Sequence, residues 1–192
     1  MPPRPPQAHE LHPHPATPCA AVAALVVQVA QDAPALHLRY TLTGALDQLR
    51  IPAPAPRPRA ADGLWRHTCF EAFIGTPDGA RYHEFNFAPS LDWAGYAFSA
   101  ERVRDAARAP LPAPRTACAL DGDRLTLDAW LPWAALPPTP TAWRLGLTTV
   151  LESATGVLSY WALHHPVARP DFHHPAGWTV PLPAAENLNQ NV

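Results

Sequence analysis

Apolar and polar side chains alternate along most of this chain with the period of a strand, and almost nowhere with the period of a helix. Leu36, Leu38, Tyr40 and Leu42 interleave with His37, Arg39 and Thr41, and the preceding stretch 22–30 is rich in Val and Leu. Gln31-Asp32-Ala33-Pro34 between them has turn chemistry, so the two stretches predict a hairpin. A second hairpin is predicted from residues 64–75 and 81–87, turned at Thr76-Pro77-Asp78-Gly79, with 95–99 placed to pair next. Residues 116–120 and 124–131 flank Asp121-Gly122-Asp123 as a third hairpin, and 143–152 with 158–164 form a fourth. A closing strand is predicted at 178–182, whereas 101–109 reads as a short helical or irregular piece stopped by Pro110. Short strands at this spacing predict an all-β fold, an antiparallel immunoglobulin-like or jelly-roll β-sandwich.

Proline sets the limits of that domain. Residues 1–18 hold seven Pro and three His without an apolar period, which predicts an extended or disordered arm. Between Pro52 and Pro58 every second residue is Pro, a spacing that excludes a helix or a central strand. The chain therefore divides into an arm at 1–18, a β-sandwich domain at 19–183 and a disordered tail at 184–192. A length of 192 residues suits one such domain with one sizeable core.

Composition narrows the chemistry. All 14 basic residues are Arg, against 16 acidic ones, and the formal net charge is −2. That balance lacks the basic excess of a nucleic-acid binder. The absence of Lys excludes a Schiff-base mechanism and a phosphate-binding P-loop. Met occurs only at position 1, so no internal thioether is available to a metal or haem. Cys19, Cys69 and Cys118 are scattered and odd in number, as expected of reduced thiols. The apolar run 19–27 is too short to span a membrane. A cytoplasmic protein with neither a nucleic-acid nor a membrane partner is the expectation.

Three groups of polar residues are candidates for function. In the second hairpin, alternation puts Trp65, His67, Cys69, Glu71 and Phe73 on one face, and Tyr82, Glu84 and Asn86 on one face of the partner. Carboxylates and an amide at alternate positions among aromatic residues suit a sugar, whose hydroxyls take hydrogen bonds and whose ring stacks on indole. The alternative is a half-buried sheet face with solvated charges. His164, His165, Asp171, His173 and His174 lie within eleven residues and are metal or haem ligands by type, although Pro residues keep them off one helix. Finally, Glu71 and Glu84 on paired strands are the residue types of an acid–base couple.

The strings Leu64-Trp-Arg-His-Thr-Cys-Phe-Glu71, Tyr82-His-Glu-Phe-Asn-Phe-Ala-Pro-Ser90, Trp93-Ala-Gly-Tyr96, Ser159-Tyr-Trp-Ala-Leu-His164 and Pro170-Asp-Phe-His173 resemble a group of bacterial DOMON-like proteins. That group is similar to family-nine carbohydrate-binding modules, and the resemblance runs from about Leu38 to Leu182. It implies a ligand-binding β-sandwich, with sugar or haem as ligand in the wider superfamily. For a sugar, Trp93, Tyr160 or Trp161 would supply the platform. Glu71, Glu84 and Asn86 would supply the polar contacts, and Tyr160, His164, Asp171 and His173 would complete the rim. Haem-binding relatives use Met with His or Lys, so haem here would need a bis-His departure through His164 and His173, with His67 as a further candidate.

The leading expectation is a non-enzymatic module that binds a small-molecule or glycan ligand, without a cofactor. The alternatives are a haem or metal redox module using His164 and His173, a sugar lyase or hydrolase using Glu71 and Glu84, and a Trp-rich surface for a protein partner. Whether Trp65 and Trp161 line a site or a core depends on register, because a one-residue shift exchanges the two faces.

Overall fold

A computed structural model describes residues 5–183 except 33, 79 and 139–141. In chain order its strands begin with β1 (Gln7–Glu10), β2 (His12–Pro13), β3 (Val22–Asp32) and β4 (Ala35–Gly44). The middle of the chain supplies β5 (Cys69–Gly75), β6 (Tyr82–Phe87), β7 (Trp93–Ala100) and β8 (Val103–Arg104). Then follow β9 (Arg115–Asp121), β10 (Arg124–Pro132), β11 (Ala142–Glu152), β12 (Leu158–Ala162) and β13 (Val180–Pro183). One sheet has the order β1-β3-β4-β10-β9, and the other β2-β12-β11-β5-β6-β7-β8, with β13 also on β11. All the strand pairings are antiparallel. The chain is thus a β-sandwich, and among the described residues no helix is long and apolar enough to cross a membrane.

The alternation seen in the sequence builds the core. Leu25, Val27, Leu36, Leu38, Tyr40, Leu42, Leu125 and Leu127 of the first sheet face Phe70, Ala72, Ile74, Phe85, Phe87, Leu145 and Leu147 of the second. The Tyr40 hydroxyl crosses this layer to donate to the Glu71 carbonyl at 2.8 Å, so the one polar atom that Tyr40 buries is satisfied.

Three expectations change. The arm at 1–18 is structured from residue 7: β1 pairs with β3, and β2 with β12. Leu11 is 1% exposed within the core and donates its N–H to Leu25. One buried leucine anchors the segment, and Pro13 lies in β2 at the edge of its sheet, where a missing donor costs little. The strand predicted at 64–75 begins only at Cys69, after a short 3-10 turn over Leu64–Arg66. The piece at 101–109 contributes β8, which closes a tight hairpin on β7. The tail at 184–192 lies outside the described residues.

Candidate functional site

The outer face of the second sheet is where polar residues collect. β5 and β6 are buried at every position, so both of their faces are covered. Antiparallel partners share a face. Glu71 therefore stands with Asn86 and Thr148, Phe73 with Glu84 and Gly146, and Val150 with Cys69 and Tyr160. Within each of the two strands this is the grouping that alternation predicted; that the two groups share one face comes from the register. The cover comes from the connection between β12 and β13. Its Trp178 lies against Gly75 and Gly146, where an added Cβ would come within 2.5 and 2.2 Å of the indole. The Trp178 indole N–H donates to the Phe172 carbonyl at 3.0 Å and so fixes Phe172 above the sheet.

Between sheet and cover lies an open cavity of about 440 Å3. Glu71, Glu84 and Phe73 lie on its sheet side, with Val150 and Tyr160 beside them. Pro170, Phe172 and His173 come from the cover, Arg102 and Arg104 from the β7–β8 hairpin, and Trp65 from the 3-10 turn. The volume falls within the roughly 300–1,000 Å3 of small-molecule sites.

The polar groups are ordered by one another. The Cys69 thiol donates to Asn86 Oδ1 at 3.4 Å, and Asn86 Nδ2 donates to Glu84 Oε1 at 2.7 Å. Glu84 Oε2 faces His173 Nε2 at 3.8 Å, too far for a hydrogen bond. The Tyr82 hydroxyl lies 2.7 Å from His173 Nδ1 and accepts the Arg102 backbone N–H at 2.9 Å. The proton assignment that satisfies every group has Tyr82 donating to Nδ1, which leaves the His173 N–H at Nε2, facing Glu84.

Glu71 is the exception. It is 2% exposed, its Oε2 takes a long contact of 3.5 Å from the Thr148 hydroxyl, and its Oε1 has no partner among the described residues.

Burial controls the charges. It pushes the Glu71 carboxyl well above its usual 4.5, and the nearby Glu84 carboxyl adds to the rise. Glu84 is also raised by burial, against the pull of Asn86, Arg104 and Arg102. Burial, helped by Arg102, lowers His173 to about 4. At neutral pH His173 is therefore neutral, while burial shifts both carboxyls upward, in the direction of the protonated form.

The arginines are partly paired. Arg102 donates to Asp171 at 2.7 Å, and Asp171 also accepts the His173 backbone N–H. The Arg104 guanidinium lies 3.9 Å over the Tyr96 ring and 5.9 Å from that of Trp65, with Asp62 at 3.6 Å. The Tyr96 hydroxyl donates to the same Asp62 carboxylate. Arg102 adopts φ 57°, a left-handed backbone uncommon outside glycine, and its hydrogen bond to Tyr82 and its ion pair hold it there.

Of the eight residues singled out in the sequence, Glu71, Glu84, Tyr160 and His173 line this cavity. Asn86 is fully buried and orients Glu84, while Asp171 holds Arg102. Trp93 belongs elsewhere: it pairs with Phe87, whose side chain is in the core, and so shares the face away from Glu84. His164 is exposed and is not part of the lining, so the structure does not bring it to one pocket with His173. His67 is bound at Nδ1 to Glu152 at 2.7 Å beside a different cavity. Trp65 lines the site, whereas Trp161 is core, its indole N–H on Ser159. The face assigned to the solvated-charge alternative is in fact covered.

Sequence reasoning passed over Arg102 and Arg104. No periodic signal marked them: β8 is two residues long, and Arg102 sits in the turn before it with a left-handed backbone.

No protein-family profile and no curated relative matches the chain. Solved structures do. A protein from Bacteroides uniformis, provisionally described as carbohydrate-binding, is similar over 91% of this chain and 86% of its own, with a TM-score of 0.61 and 15% identity. A family 9 carbohydrate-binding module from Caldicellulosiruptor kristjanssonii, solved in complex with cellotriose, is similar over 91% and 80%, with a TM-score of 0.54 and 8% identity. At these identities the likeness is one of fold, the β-sandwich described above.

Proposed function

We propose that this protein is a non-enzymatic binding module that takes a saccharide into the cavity above the second sheet. One observation carries the reading: the unpartnered Glu71 oxygen lies on the floor of a cavity walled by Trp65, Tyr160 and Phe172. A buried polar atom left without a partner is costly, and a ligand hydroxyl supplies what it lacks. Indole and phenol rings offer apolar surface to the face of a pyranose, and Glu84 and His173 offer further hydrogen bonds. The sandwich shared with carbohydrate-binding modules supports this reading, as does the resemblance to DOMON-like proteins.

The test is calorimetric titration against a broad panel of mono- and oligosaccharides, with recovery of the sugar afterwards. We expect a bound sugar to be returned unchanged, and Glu71→Leu to weaken it by about tenfold or more while the melting transition persists. Equal binding by Glu71→Leu would move the site elsewhere. A panel without a single binder, or a Soret band in the purified protein that His164→Ala removes, would overturn the proposal.

A further inference from the structure

The charges lining the cavity are one-sided. Arg102 and Arg104 are the permanently charged groups among its lining residues, with side chains 57% and 50% exposed. Both come from one tight hairpin, and both turn toward the same opening. The carboxylates that pair with them, Asp171 and Asp62, lie outside the lining, and the Asp62 contact is a loose 3.6 Å. Each guanidinium has five N–H donors, and only Arg102 Nη2 is committed to a close ion pair. The Arg104 guanidinium lies over the Tyr96 ring, 3.9 Å from its centroid, a contact that consumes none of its donors.

The acidic side chains in the same lining, Glu71 and Glu84, are 2% and 5% exposed, and the arginines' ion pairs go to Asp171 and Asp62 instead. Burial raises both carboxyls, which lessens the charge they set against the arginines, and it is the two guanidiniums that reach solvent at the opening. A purely neutral sugar would leave the donors not engaged by Asp171 and Asp62 without the anionic partner their geometry suits.

We propose that the saccharide bound here carries a carboxylate, as a uronic acid residue does, with Arg102 and Arg104 gripping the carboxylate and Glu71 meeting a ring hydroxyl. The inference rests on the saccharide reading and sharpens it to a substrate class. Asp171 is then a positioning residue. By holding Arg102 at its strained backbone it fixes one arm of the grip.

The experiment titrates the protein with glucuronate, galacturonate and mannuronate and their short oligomers, beside glucose, galactose and mannose, with acetate as a carboxylate lacking the sugar. We expect at least one acidic sugar to bind about tenfold or more tighter than its neutral counterpart, and more weakly as salt rises. In Arg102→Gln and Arg104→Gln the ratio of acidic to neutral affinity should fall toward one. In Arg104→Lys, which keeps the charge but loses the planar fork, the ratio should fall only partly. Equal affinity for acidic and neutral sugars, or a ratio untouched by both Arg→Gln changes, overturns the inference and leaves the saccharide reading standing. Binding of acetate as tight as that of any sugar, or of no sugar at all, overturns both.

Discussion

The two faces of the β5–β6 hairpin are equally buried and chemically opposite. Inward, Phe70, Ala72, Ile74, Phe85 and Phe87 pack as core. Outward, one residue away at each step, Cys69, Glu71, Phe73, Tyr82, Glu84 and Asn86 are also within 5% of full burial. Burial therefore does not distinguish a site from a core. What distinguishes them is whether the buried polar atoms are already satisfied. Tyr40 on the inner side finds its acceptor within the sandwich, whereas Glu71 on the outer side keeps a bare oxygen. The inner face satisfies its buried hydroxyl within the fold; the outer face leaves a buried carboxyl oxygen unsatisfied.

The most forceful way to break this comparison is to truncate both faces. Phe70→Ala should cost about 3–5 kcal/mol in urea unfolding, the usual cost of removing a fully buried ring. Glu71→Gln, similar in size, should cost less than about 1 kcal/mol near neutral pH, because the carboxyl it replaces has little to lose. Comparable losses from the two would make the outer face a second core.

A smaller effect concerns the cover. Gly146→Ala drives a methyl to 2.2 Å from the Trp178 ring, so the indole must leave its seat. Overpacking of this kind costs about 1–3 kcal/mol. Phe172 hangs from the same indole, so ligand affinity should fall with the change in near-ultraviolet circular dichroism. Unchanged affinity would show that the cover does not shape the site.

Histidines on the two faces respond alike to pH, and the outer face adds a carboxyl that responds the other way. His83, facing inward on Ala135, and His173, facing outward, are each lowered from 6.5 to about 4 by burial. A depressed histidine stabilises the fold above 6.5, and the benefit is lost as pH falls toward 4. His83→Gln and His173→Gln should each remove one proton from that slope, at most about tenfold in folding constant per pH unit. Glu71 works the other way: its raised carboxyl stabilises the fold fully below 4.5, and this is lost as pH rises. Glu71→Gln should therefore gain on the wild type with increasing pH above that value. Urea unfolding across the pH range reads both trends, and parallel curves for all three proteins would refute the burial of these groups.

Much of this was legible in the chain. The hairpins at 22–44, 115–132 and 142–162 follow from period-two alternation around turn residues, a local signal that tertiary packing reinforced. The grouping of Cys69, Glu71 and Phe73 in one strand, and of Tyr82, Glu84 and Asn86 in the next, followed from the same rule, while the register that joins them did not. The arm was misread because composition spoke louder than position. Seven prolines disfavour interior strands, but they do not prevent short edge strands pinned by Leu11. Burial of the outer face was invisible because the cover comes from residues about ninety positions away. Arg102 and Arg104 were missed because the hairpin carrying them is too short to show a period.

Trp65 and Trp93 give the finest discrimination between the faces. Both are half-buried indoles near β7, and in sequence each could serve as a sugar platform. Trp65 lines the cavity and meets the Tyr96 ring edge-on, with Arg104 nearby. Trp93 stands opposite Phe87, on the other side of the sheet. Trp65→Ala should therefore weaken ligand about tenfold with a modest change in stability, because a stacking surface is lost from the site. Trp93→Ala should leave affinity within about twofold and act, if at all, on the melting temperature. The pair is read by the same titration on two purified variants. A reversal, with Trp93 controlling affinity and Trp65 silent, would place the guest on the opposite face and take the cavity, its carboxyls and its arginines out of the binding chemistry together.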